Sequence, residues 1–81
     1  MNRVSKEMIE SKILNVDYFY HDLLTIAVIV LSTSNGGVFK VIGESACVDP
    51  NNYNKQLGEK YAYENAYEKI WMLEGYLLAN K

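Results

Sequence analysis

One cysteine, one histidine, one proline and one arginine are all that this 81-residue chain holds of those four residue types. A lone thiol, Cys47, excludes an internal disulfide. With His21 the only imidazole, a Cys/His zinc cluster is excluded as well. Arg3 is the sole arginine and the lysines are scattered, at a net charge of −2. Coating a DNA or RNA polymer needs clustered cations, so that class is set aside. A single small anion is not excluded, because two or three local cations can hold one. The longest apolar run, 23–31 broken by Thr25, falls short of the about 20 residues that cross a bilayer. The opening MNRVSKEMIE has no apolar signal core. No membrane partner and a reducing, cytoplasmic setting are therefore expected.

What the chain does have is apolar surface. Hydrophobic residues make up 49% of it and charged ones 22%, which fits one folded domain over 1–81. Eighty-one residues lie near the lower limit for a self-sufficient core, so association between subunits is an expected source of stability.

Ser5 reads as a helix N-cap, with Val4 and Ile9 spaced as a hydrophobic staple. A short helix over 5–13 follows, its inner face Met8, Ile9 and Ile13. Residues 14–20 favour a strand with Tyr18 and Tyr20 on one face and Asp17 and Phe19 on the other. His21-Asp22 is a turn. The segment LLTIAVIVLS, 23–32, is apolar on both faces and reads as a central strand covered on both sides. Asn35-Gly36 signals a hairpin. The return strand over 38–44 places Phe39 and Val41 on one face and Val38, Lys40 and Ile42 on the other.

Asp49-Pro50 ends the strand region, because the residue before proline is driven out of helical geometry. Asn51 or Asn52 can then cap a helix over about 53–80. Ala62, Ala66, Ile70, Leu73 and Leu77 line one stripe of it. Tyr67, Trp71 and Leu78 widen that stripe on one side and Met72 and Tyr76 on the other, leaving a solvated pole at Glu64 and Glu68. Gly58 and Gly75 each cost roughly 1 kcal/mol against alanine there. Close packing or, at Gly58, a kink would account for them. The expected fold is α+β: a short N-terminal helix, a three-stranded antiparallel β-meander and a long C-terminal helix packed on the sheet.

One helix covers one face of so small a sheet. The other face, and the flank bearing Tyr67, Trp71 and Leu78, would then meet water, which marks an oligomer interface. The plainer alternative is that the N-terminal helix covers what is left, although nine residues hide only part of it.

Few constellations carry chemistry. Cys47 with His21 could form a nucleophile pair, but Ala46 and Val48 flank the thiol and favour a small buried hydrophobe. Glu64 and Glu68 share a helix face and could act as acid and base. Lys60 stands at ion-pair spacing from Glu64, with Lys69 nearby, so a solvated charged face is the better reading. Gly36-Gly37 is a turn and no phosphate loop, since no Gly-Lys-Ser/Thr follows. No catalytic residue, metal ligand or cofactor is assigned. The polar run Glu44, Ser45, Asn51, Asn52, Tyr53 and Asn54 at a helix start is a better site. Helix N-termini offer unpaired N–H groups that suit phosphate. Asn amides can read purine edges, and Tyr53 or Phe39 could stack on a base. The candidate ligand-binding set is Phe39, Ser45, Asn51, Asn52, Tyr53, Lys60 and Glu64. Composition alone favours plain capping with a hydrated loop.

GESACVDP over 43–50, Asn52-Tyr53, Gly58, Lys60, the Ala62–Ala66 segment and WMLEGYLL over 71–78 together resemble a family of small tailed-phage proteins. The resemblance covers about half the chain and extends to the phage Thoeris anti-defence sponges. It implies a non-enzymatic protein in the host cytoplasm that binds a small nucleotide-derived signalling molecule without cleaving it. The ligand would be glyco-cyclic ADP-ribose or a cyclic oligonucleotide. It also implies self-association as dimers assembled into hexamers, with pockets between subunits. Many relatives carry arginines near the positions of Glu59 and Tyr63. Here Lys55, Lys60 and Lys69 are the cations available instead. The alternative is a phage protein that binds and inhibits a host protein through an exposed apolar helix face, the flank bearing Trp71.

Overall fold

The computed structural model of the chain describes residues 3–80. Met1, Asn2 and Lys81, which the expected 1–81 domain includes, lie outside the described residues. The elements run α1 (Lys6–Lys12), β1 (Ile13–His21), β2 (Leu24–Ser32), β3 (Val38–Ala46), a 3-10 turn (Pro50–Asn52) and α2 (Lys55–Ala79). The strands form one antiparallel sheet in the order β1-β2-β3, and α2 packs on it. This is the α+β meander with flanking helices that the sequence predicts.

Local chemistry sets most boundaries. Ser5 caps α1 by accepting the Met8 N–H at 3.1 Å. Asp22 takes a left-handed φ of 53° to turn β1 into β2. Gly36 supplies φ +85° in the 33–37 loop, where its N–H reaches the Thr33 carbonyl at 3.2 Å. The start of α2 departs from expectation. Asp49 accepts the Asn51 N–H and the Asn52 amide, winding 50–52 into a separate 3-10 turn. The cap of α2 is therefore Asn54, not Asn51 or Asn52; its Oδ1 accepts the Leu57 N–H at 3.2 Å.

Helix and sheet meet at small residues. Ala27, Gly43, Ala62 and Ala66 are all buried where α2 crosses β2 and β3. A Cβ on Gly43 would run into the backbone of both Ala62 and Ala66. Ile9, Ile29, Leu31, Val41 and Ile70 complete the core beside that crossing. Gly58 is explained by close approach too, since a Cβ there would lie 2.7 Å from Thr25 Oγ1. Gly75 faces open space and has no packing role.

Two expectations about coverage change. β2 is central but not covered on both sides: Thr25, Ala27, Ile29 and Leu31 are buried, while Leu24, Ile26, Val28 and Val30 on the opposite face stay half-exposed. The stripe on α2 also splits, with Ala62, Ala66 and Ile70 buried but Leu73 and Leu77 exposed. Length is the reason. A 25-residue helix spans about 37 Å, against roughly 30 Å for a nine-residue strand. Gly58 already sits on Thr25 at one end of the sheet, so the last turns of α2 overhang the other. The long axis of the molecule is accordingly 47 Å.

Thr25 is fully buried, and its hydroxyl has no hydrogen-bond partner among the described residues. An unpaired buried hydroxyl costs on the order of 1 kcal/mol or more, and an apolar group of the same shape does not. Thr25→Val is expected to raise the melting temperature by roughly 5 °C in thermal denaturation. A fall instead would mean that the hydroxyl is bonded in solution.

Candidate functional site

Ser45, Asn52 and Tyr53 lie together. They line a cleft of about 180 Å³ with Leu23, Cys47 and Asn54, at the junction of β3, the 3-10 turn and the first turn of α2. Asn54 satisfies the Leu57 N–H, while the Lys55 and Gln56 N–H groups have no intrahelical acceptor by helix geometry. Cys47 donates its thiol to the Asp49 carbonyl at 3.2 Å. His21 instead stands exposed, 3.8 Å from Asp22, and makes no bond to Cys47.

The other predicted ligand contacts are dispersed. Asn51 is exposed on the 3-10 turn outside this cleft. Phe39 lies six residues from Ser45 along β3, about 20 Å away. Lys60 points its ammonium 5.9 Å from the Tyr61 ring centroid and forms no ion pair with Glu64. Glu64 is exposed and borders a shallow cleft of about 390 Å³ with Lys6, Glu10, Tyr67 and Trp71. The remaining cations are engaged elsewhere. Lys69 donates to the Ile42 carbonyl at 2.6 Å, and Lys55 lies 4.8 Å from the Tyr20 ring centroid.

The expected interface flank is partly covered. Tyr67 donates to the Lys6 carbonyl at 3.5 Å and stacks obliquely on Tyr63 at 5.7 Å. Burial, then the nearby Glu10, raises the phenol pKa of both. Trp71 remains 38% exposed and Leu78 half-buried. The N-terminal helix therefore hides part of this flank but leaves the other face of the sheet open, where Leu24, Ile26, Val28 and Val30 stay half-exposed. More apolar surface stays open on the other flank, where Met72 and Tyr76 are the most exposed.

Two features had no sequence signal. A cleft of about 490 Å³ lies beneath the overhanging end of α2, between Leu31, Phe39, Ile70, Leu73 and Tyr76. Its wall is closed by Lys12 and Glu74, paired at 3.0 Å across 62 residues of sequence. Their pairing depends on where α2 ends relative to α1, which no local pattern encodes. The second feature is on β1. Tyr20 donates to the Glu59 carboxylate, and that bond, with smaller help from burial, pushes the phenol from 10.0 up to about 12. Tyr18 is raised mainly by burial and then by Glu59.

Among the described residues, no group of three or more His, Cys, Asp or Glu is placed to hold a metal ion. No described helix is long and apolar enough to cross a membrane. The family model that matches the chain is described as Phage protein (N4 Gp49/phage Sf6 gene 66) family, aligned over residues 4–81. Neither a curated protein nor a solved structure matches it.

Proposed function

The chain belongs to that phage protein family, and from this premise we propose that it is a non-enzymatic sponge for a cyclic nucleotide-type immune signal. It would hold glyco-cyclic ADP-ribose or a cyclic oligonucleotide in the host cytoplasm and leave it uncleaved. The resemblance of GESACVDP and WMLEGYLL to the Thoeris anti-defence sponges motivates the ligand class.

One observation carries the reading: Ser45, Asn52 and Tyr53 converge with the start of α2 on a single cleft. Amide, hydroxyl and phenol groups beside free helix N–H donors suit a phosphate and a base edge. At about 180 Å³ the cleft is smaller than the roughly 300–1,000 Å³ usual for small-molecule sites. A second subunit would supply the missing wall. Binding needs no bond-making chemistry, so no residue is given a catalytic role.

The test is recovery of the ligand. After incubation and denaturation, the nucleotide should return with its mass unchanged, and Tyr53→Ala should weaken binding about tenfold by loss of stacking. A chemically altered nucleotide would mean a hydrolase.

The exposed Met72, Leu73, Tyr76 and Leu77 run favours a second reading, inhibition of a host protein through this helix face. In that case Tyr53→Ala would leave function intact, and substitutions at Met72 and Tyr76 would remove it.

A further inference from the structure

The cleft where Ser45, Asn52 and Tyr53 meet has no Lys, Arg, Asp or Glu in its lining. Lys60 reaches the Tyr61 ring at 5.9 Å without lining the cleft, while Lys55 and Lys69 are engaged at the Tyr20 ring and the Ile42 carbonyl. Lys55 and Gln56, whose N–H groups lack helical acceptors, do not line it either. Its walls include Leu57 and the Tyr53 and Tyr61 rings. A volume of about 180 Å³, against about 300 Å³ for the smallest usual ligand sites, takes one ring system of a larger molecule. The polar groups that remain are two amides and a hydroxyl, and both amides have fixed orientations. Asn52 donates its Nδ2 to the Asp49 carboxylate at 3.1 Å, and a carboxylate only accepts, so Oδ1 is the acceptor left over. Asn54 accepts the Leu57 N–H on Oδ1 at 3.2 Å, so Nδ2 is left over as a donor. The cleft thus offers one acceptor and one donor, and the Ser45 hydroxyl can serve as either.

Resting on the sponge reading above, we infer that this cleft is a base subsite: it takes the uncharged adenine ring of the ligand against Tyr53 and Tyr61, and the phosphates stay outside. The adenine amino group donates to Asn52 Oδ1, and the ring nitrogen beside it accepts from Asn54 Nδ2. The flat ring supplies the stacking area that two phenols can use. Phosphate is the poorer occupant, because it offers acceptors, leaves Asn52 Oδ1 unpaired and meets no cation there.

Asn54→Asp gives the test, because Asp caps a helix as well as Asn does and so keeps the start of α2. It exchanges the free donor for an acceptor. Adenosine titrated into the full chain should shift the NMR amide signals of residues 45–58. Added salt should leave its affinity unchanged, and inorganic phosphate should not displace it. In Asn54→Asp, adenosine should bind about tenfold more weakly while guanosine holds, since guanine N1–H and N2–H can donate to two acceptors. A merely structural role for Asn54 would weaken both nucleosides alike, which overturns the inference. Adenosine that does not bind, or that phosphate displaces, overturns it as well and leaves the sponge reading intact wherever a cyclic nucleotide is still captured. The predicted switch without capture of any cyclic nucleotide would instead uphold the base subsite and remove the sponge reading alone.

Discussion

Gly43→Ala is expected to lower folding stability by about 3 kcal/mol or more, a fall of roughly 15 °C or more in melting temperature. The added methyl has nowhere to go, since it meets the backbone of Ala62 and Ala66 and not a movable side-chain end. Relief requires lifting α2 from β3, which would also pull Lys69 and Asn65 off the β3 carbonyls. Gly75→Ala is the control. It fills open space in the same helix and should stabilise by up to about 1 kcal/mol. Melting curves of the two variants decide the matter, and a Gly43→Ala curve within about 3 °C of wild type would mean the crossing is not tight.

Ile9→Ala should cost about 2–5 kcal/mol, out of proportion to its place on a seven-residue helix. Helices this short are not stable alone in water, so α1 depends on what it buries. Ile9 is its one fully buried side chain, packed in the core with Ile29, Leu31 and Ile70. The Lys12–Glu74 pair and the Tyr67 bond to Lys6 hold its two ends but are partly solvated, and such pairs contribute little by themselves. Hydrogen exchange should therefore show α1 losing protection first, with β2 and the middle of α2 protected until global unfolding. Uniform loss across the chain would instead make α1 integral to one cooperative unit.

The fold was legible wherever local chemistry decides it. Ser5 as a cap, Asn35-Gly36 as a hairpin and the alternation in β1 and β3 need only neighbouring residues to be read. The cap of α2 was not legible, because Asp49 captures the Asn51 and Asn52 groups and only the fold shows Asn54 taking over. The candidate site was half legible. Ser45, Asn52 and Tyr53 converge because strand end, turn and helix start are adjacent in sequence. Phe39 does not join them, since β3 carries it to the far end of the sheet. The stripe from Ala62 to Leu77 has the right period throughout. It fails at Leu73 because the sheet beneath it ends, a matter of relative length that hydropathy does not record.

The proposed function is that the chain holds an intact nucleotide-type signal. Native mass spectrometry of the full chain, with and without glyco-cyclic ADP-ribose and a panel of cyclic di- and trinucleotides, tests it most directly. The expected result is an even-numbered oligomer that gains the intact mass of one of these ligands at fixed stoichiometry. An oligomer that gains no ligand mass from any of them would contradict the claim.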